Sequence, residues 1–298
     1  MDILIAVNKP KDITSQDAVT RVKRTLKVKK AGHTGTLDPL ATGLLIICIN
    51  RATRLASYFS DLDKEYRAVM KLGETTDTQD AYGNIIARCV TDNIDKGLVE
   101  DTLKSFVGTS HQHPPMFSAL KHKGRSLYSY ARQGIEVERE LREITIHRIG
   151  LLSVDLPLVT FTVRCSKGTY IRTLCHDIGQ KLGVGAHLLE LERTAIGPFE
   201  LKNSLTFDEL QAVSEGERAD RGFYTMNEAL SWMPEFIIKD HMLKSVIHGH
   251  PIQLGSMEPS GNMKSASGIK IVSPDGDLLA IGSYSPLKNE IKMDVVFA

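Results

Sequence analysis

Residues 32–43 read Gly-His-Thr-Gly-Thr-Leu-Asp-Pro-Leu-Ala-Thr-Gly, and the single acid among them is Asp38. Pro39 biases Asp38 towards extended backbone, and the glycines permit tight turns. A lone carboxylate is therefore presented from a constrained loop. The apolar run 44–49, Leu-Leu-Ile-Ile-Cys-Ile, follows it as a strand buried on both faces. Such a carboxylate can cap the 34–37 turn, or it can serve as a nucleophile. Local chemistry leaves both open. Just upstream, 21–30 carries six basic residues and no acid. Residues 1–60 carry ten basic and four acidic residues, +6 in a chain of net charge +1. A basic patch on a near-neutral protein points to a local polyanion site, with a solvated helix face as the plainer alternative.

Other chemistries fare worse. Ser118-Ala-Leu-Lys121 has acyl-transfer spacing, but Thr91-Asp92-Asn93 precedes it and Lys167-Gly168-Thr169 has the wrong order. His111/His113 and His248/His250 lack a third ligand at zinc spacing. The four cysteines, Cys48, Cys89, Cys165 and Cys175, are scattered, so neither a disulfide framework nor a cysteine-rich metal site is expected. Gly183-Val184-Gly185 lacks the third glycine of a dinucleotide fingerprint, and no Walker A sequence occurs. No apolar run approaches the roughly 18–20 residues that span a bilayer, and the first residues carry no basic leader. A soluble, cytoplasmic protein is the expectation.

The length of 298 residues suggests about two domains. Strands are predicted over 3–7, 43–49, 66–72, 143–149 and 159–165. Thr14 and Asp17 have the spacing of a capping box, and Ala18, Val19, Val22 and Leu26 continue it at helical spacing. Residues 75–83 read as a polar turn. Helices are predicted over 99–107, 126–133, 171–182, 186–193 and 206–213. The segment 166–170 thus turns a strand into a helix that begins near Arg172. Beyond about 236 the apolar runs shorten to 268–272, 278–284 and 291–297, the pattern of a small all-β unit.

The 32–43 stretch resembles the catalytic motif of the tRNA pseudouridine synthases of the TruB type, which modify uridine 55 in the T loop. Companion segments occur in the family's order: Asn8-Lys9-Pro10, 115–121, 127–137 and Cys165-Ser-Lys-Gly-Thr-Tyr170-Ile-Arg172. The likeness covers roughly 3–235. It implies an α+β fold: a pseudouridine synthase domain, 1–235, with a mixed, mainly antiparallel sheet flanked by helices. A thumb-like insertion is expected at about 121–148, and a small PUA-like β domain at 236–298.

The resemblance also implies roles. Pseudouridine formation breaks the N1–C1′ bond, turns the base and rejoins it through C5, so no cofactor and no metal are required. Asp38 would be the nucleophile, attacking either ribose or base. Arg172 would pair with it and, as a nearby cation, hold it ionised. Tyr66 would stack on uracil and take part in the deprotonation at C5. Tyr170 and Leu191 would line the pocket. A stacked uridine must be extruded, at a cost of a few kcal/mol. His33 would fill the vacated space, where stacking returns about 1–3 kcal/mol. Lys9 and the 21–30 run would meet RNA phosphates, and Lys121, at the start of the thumb-like insertion, would bind the substrate RNA. The expected partner is the T stem-loop of tRNA, and the expected state a monomer. Rival readings are a non-catalytic RNA-binding or tRNA-folding protein on the same scaffold, an acyl-transfer enzyme using Ser118 and Lys121, and a guide-RNA-dependent synthase.

Overall fold

The computed structural model describes residues 1–118, 120–254 and 268–297, with the backbone alone for 121, 122 and 126. In chain order come β1 (Ile3–Lys9), α1 (Ser15–Thr25), β2 (Ala31–His33), β3 (Thr42–Ile49), α2 (Ala56–Ser60), β4 (Lys64–Leu72), β5 (Glu74–Thr76), β6 (Ile85–Arg88) and α3 (Lys96–Lys104). Next are β7 (Gly108–Gln112), β8 (Lys121–His122), β9 (Arg125–Ser126), α4 (Leu127–Ala131), β10 (Arg142–Asp155), β11 (Leu158–Cys165), α5 (Ile171–Lys181) and β12 (Ala186–Ile196). The chain ends with β13 (Phe199–Glu200), α6 (Phe207–Ser214), β14 (Phe223–Thr225), β15 (Glu235–Ile237), α7 (Leu243–Ile247), β16 (Ile252–Gln253), β17 (Ile269–Val272), β18 (Leu278–Ser285) and β19 (Glu290–Val296).

The large sheet has the order β14-β1-β3-β12-β4-β11-β10-β7, with β2 added on β3 and β13 on β12. Only the β12–β3 pairing is parallel; its other pairings are antiparallel. This is the mixed, mainly antiparallel α+β fold that the family resemblance implied. The continuous apolar run of β3 follows from its place between two layers. Leu45, Ile47 and Ile49 pack with α1 and α6, while Leu44, Ile46 and Cys48 pack with Phe59 and Phe199 on the opposite face. The α1 capping box forms: the Asp17 amide donates to Thr14 Oγ1 at 3.0 Å, and the Thr14 amide donates back to Asp17 Oδ2 at 3.0 Å.

Residues 186–193 are not a helix. They form most of β12, which lies between β3 and β4. Two register shifts, at Leu188/Glu190 and Arg193/Ala195, break the period-two alternation. Those bulges give the apolar residues a spacing that imitates a helical face, and pairing on both edges decides the outcome. At Gly43 the backbone has φ +100°, and a Cβ would stand 2.4 Å from the Arg193 carbonyl oxygen. No side chain fits there, so the last glycine of the motif is what lets β3 and β12 meet beside the site.

The C-terminal β domain has the order β15-β17-β18-β19-β16. It does not sit on a bare linker. Val272, Leu278, Ile281 and Phe297 share one apolar cluster with Phe59, Phe199 and Leu230. Arg51 and Arg54 donate to the carbonyls of Phe297 and Val296. Among the described residues no helix is long and apolar enough to cross a membrane.

Candidate active site

Asp38 lies in the loop between β2 and β3, and the loop is fixed from several sides. Ser15 at the start of α1 is buried; its Oγ donates to the Leu37 carbonyl at 3.0 Å and accepts from the Leu37 amide at 2.8 Å. The Asp12 amide donates to Pro39 O at 2.8 Å, and the Ala41 amide closes a turn on Asp38 O at 3.0 Å. The carboxylate cannot drift without breaking buried hydrogen bonds, each costly to leave unmade.

Arg172 enters from the first turn of α5. Its Nε stands 2.9 Å from Asp38 Oδ2 and its Nη2 3.4 Å from Oδ1. Nη1 lies 3.5 Å from Asp80 Oδ2 and 3.3 Å from Thr78 O, and Nη2 donates to Phe117 O at 2.8 Å. The guanidinium is buried and joins four chain segments. Its fork grips both oxygens of Asp38 in a way that an ammonium could not copy. Asp80 is itself oriented, accepting from Thr78 Oγ1 at 2.6 Å and from the Tyr82 amide at 3.0 Å. The resemblance implied that this pairing would lower the Asp38 pKa; the outcome is the opposite. Burial pushes its pKa up, Arg172 pulls it down, and the neighbouring Asp80 charge pushes it up again, with a net upward shift. A side chain that is 37% exposed keeps the carboxylate open to the pocket mouth.

The pocket beside this pair has a volume of about 330 Å³ and is bounded by Asp38, Tyr66, Tyr170, Arg172, Leu191 and Arg193. Tyr66 comes from β4. Leu191 comes from β12, from a strand and not from a helix face. Tyr170 precedes α5, and its backbone is clamped by buried Gln112: the Tyr170 amide donates to Oε1 at 2.8 Å, and Nε2 donates to the Tyr170 carbonyl at 3.0 Å. Burial pushes both tyrosine hydroxyls up in pKa. A second cavity, about 640 Å³, lies on the other side of Thr36, Leu37, Asp38 and Arg172. His33 and Tyr128 line it together with Arg132, whose guanidinium lies 4.4 Å from the centroid of the Tyr128 ring. His33 is shifted towards its neutral form by burial and by the Arg193 charge.

One expected phosphate contact falls elsewhere. Lys9 is fully buried, and its ammonium donates to Ile13 O at 2.8 Å, Pro10 O at 2.9 Å and Pro39 O at 3.5 Å. It braces the Asp38 loop from within and offers no surface to a phosphate. Burial lowers its pKa to about 8. The Lys121 side chain lies outside the described residues. Within 21–30, Arg21, Arg24, Lys27, Lys29 and Lys30 are exposed and Lys23 is half-buried. Ser15, Asp80, Gln112 and Arg193 were not singled out from the sequence. Only Asp80 carried a signal, as an acid in the polar 75–83 turn; the others act through backbone groups brought close by folding.

Solved structures with this fold include a Cbf5-Nop10-Gar1 complex, matched with TM-score 0.76 and 29% identity over 99% of this chain and 85% of that one. An archaeal box H/ACA sRNP Nop10-Cbf5 complex matches with TM-score 0.74 and 26% identity, over 99% and 86%. Residues 23–171 match the N-terminal domain of the TruB family pseudouridylate synthases, and 172–231 match the tRNA pseudouridylate synthase B C-terminal domain. The tRNA pseudouridine synthase B of Syntrophotalea carbinolica is 41% identical over 96% of this chain and 93% of its own length. That of Aliivibrio fischeri is 43% identical over 89% and 86%. Fold and matches together define the class: a pseudouridine synthase, an isomerase that rejoins a base to its own ribose. Within that class, the chain belongs to the TruB family.

Proposed function

We propose that this chain isomerises the T-loop uridine at position 55 of tRNA to pseudouridine, with Asp38 as the nucleophile and without a guide RNA. The observation that carries this reading is the two-point grip of buried Arg172 on Asp38 at the mouth of a pocket flanked by Tyr66, Tyr170 and Leu191. A carboxylate held this way can form and release a covalent bond to a nucleoside while the detached base turns. The two cavities on either side of the Asp38 loop support base flipping. Uracil enters the smaller one, and His33, uncharged and exposed to the larger one, stacks in the space the nucleotide vacates. Tyr66 stacks on uracil and removes the proton from C5. Identities of 41% and 43% to relatives named as tRNA pseudouridine synthases favour tRNA as the substrate and stand-alone action. We place the protein in the cytoplasm as a monomer, with 1–235 as the catalytic domain, 121–148 as a thumb that closes on RNA, and 236–298 as a PUA-like RNA-contacting domain.

The test is tritium release from tRNA labelled at uracil C5, with no other RNA or protein present. Release is expected with unmodified tRNA and is lost when uridine 55 is replaced by cytidine. Release only on addition of a guide RNA, or none at all alongside tight binding, would replace this reading with one of its rivals.

RNA binding should also be strongly salt-dependent, because exposed cations of the 21–30 run displace counterions from phosphates. Replacing Lys27, Lys29 and Lys30 by Gln should reduce the slope of log affinity against log salt by about one for each phosphate no longer neutralised. An unchanged slope would remove this face from the RNA footprint.

A further inference from the structure

Arg193 heads the fully buried large side chains. Its Nε donates to Leu44 O at 2.8 Å, Nη2 to Gly35 O at 3.1 Å, and Nη1 to Thr36 O at 3.4 Å. Gly35 and Thr36 belong to the loop that ends in Asp38. Across the sheet, Arg193 is the register partner of Tyr66, the two side chains line the same pocket, and the guanidinium charge acts on the Tyr66 phenol. Among the described residues no carboxylate pairs with it; its hydrogen bonds go to three carbonyls, with the Tyr66 phenol as the titratable group that acts on its charge. A buried charge without a counter-ion is costly to maintain. Carbonyls alone would be served as well by a neutral donor, so a full cation here is unexplained by the resting structure. It becomes intelligible if the phenol is the group that turns negative.

We propose that Arg193 is a positioning residue for the reaction, tying the Asp38 loop to the Tyr66 phenol and supplying the counter-charge for the Tyr66 phenolate while it takes the C5 proton. The inference rests on the roles given to Asp38 and Tyr66 above. Tyr66 first gives its phenolic proton to water through the pocket mouth. Once C5 is bonded to C1′, the phenolate oxygen takes the C5 proton. The C5–H electron pair becomes the C5=C6 bond, the C6=N1 π pair moves onto N1, and N1 takes a proton from water. Tyr66 ends as a neutral phenol and passes its proton to water before the next turnover. Burial raises the Tyr66 pKa, and Arg193 is the group that pulls it back.

Three variants test this: Arg193→Met, Arg193→Lys and Tyr66→Phe, each in single-turnover assays on tRNA with hydrogen or deuterium at uracil C5. Arg193→Met should slow turnover on the order of 100-fold, the scale of losing one electrostatic stabiliser, with tRNA affinity little changed. Its rate should rise with pH later than in the wild type, and its C5 deuterium effect should grow as proton removal becomes limiting. Arg193→Lys should restore much of the pH profile but not all of the rate. Combined with Tyr66→Phe, Arg193→Met should cost little more. Slowing with an unchanged pH profile and isotope effect, additive with Tyr66→Phe, would make Arg193 a purely structural brace and overturn the inference. If Arg193→Met fails to fold, Arg193→Gln, neutral but still able to donate to the carbonyls, takes its place: a slower enzyme with the wild-type pH profile and isotope effect overturns the inference, and shifts in both sustain it. Tritium release by Asp38→Asn would instead defeat the underlying reading, whatever Arg193 does.

Discussion

Asp38→Asn is expected to abolish pseudouridine formation while leaving tRNA binding and folding intact. The loss should be on the order of 10⁴-fold or more, the scale seen when a reacting group of a covalent catalyst is removed. The amide has nearly the same shape, and its oxygen can still accept from Arg172, which keeps its bonds to Asp80, Thr78 O and Phe117 O. Affinity for tRNA should stay within about threefold, under 1 kcal/mol. Thermal stability should be unchanged or higher. Burial raises the Asp38 pKa in the folded protein, so the ionised carboxylate works against folding at neutral pH, and a neutral amide removes that cost. Filter binding, tritium release and a melting curve on one preparation check all three. An active Asp38→Asn enzyme would sink the nucleophile; an inactive one with a collapsed melting curve would show that Asp38 holds the loop rather than reacts.

What could be read in advance depended on how local the determining interactions are. The capping box at Thr14 and Asp17, the double-faced burial of β3 and the apolar face of α5 at Ile171, Leu174 and Ile178 are encoded within a few turns of chain, and the structure carries all three. The loop that presents Asp38 was legible from its own Gly and Pro residues, but the bonds that fix it come from Ser15, Asp12, Lys9 and Arg193. The roles of Lys9 and Arg193 were hidden for a common reason. Each is a cation solvated by backbone carbonyls, those of Arg193 from distant segments and those of Lys9 from its own turn and from Pro39, and hydropathy assigns such side chains to the surface. Neither an RNA-facing Lys9 nor an unremarked Arg193 survives once β1, β3, β4 and β12 are brought together. The strand character of β12 was masked by its bulges. Asp80 was an acid in a turn until α5 delivered Arg172 against it. The sequence pattern located the reactive loop; the groups that tune it converge only through sheet pairings spanning more than a hundred residues.

Arg172→Met should be the most damaging single change in this site for stability, and should slow the reaction as well. It removes the cation shared by Asp38 and Asp80 and leaves Asp80, a buried acid, without the guanidinium that neutralises it. Breaking a buried pair from one side typically costs about 3–5 kcal/mol. The pH dependence follows from the sign of the shift. Without the guanidinium, the Asp38 carboxyl, already raised above its unfolded value, is raised further. A raised carboxyl costs stability at neutral pH, where the unfolded chain is ionised, and costs nothing once both states are protonated. The deficit of Arg172→Met against the wild type should therefore be greatest near neutrality and shrink as pH falls, which urea melts at several pH values would show. Activity moves the opposite way. The wild-type rate should fall on acidification at a pH above the ordinary aspartate value, because Asp38 already lies above it. In Arg172→Lys that limb should move further up, since an ammonium cannot grip both oxygens. A limb that stays fixed in Arg172→Lys, or a stability deficit independent of pH, would mean that Arg172 fills space at this position and does not set the charge on Asp38.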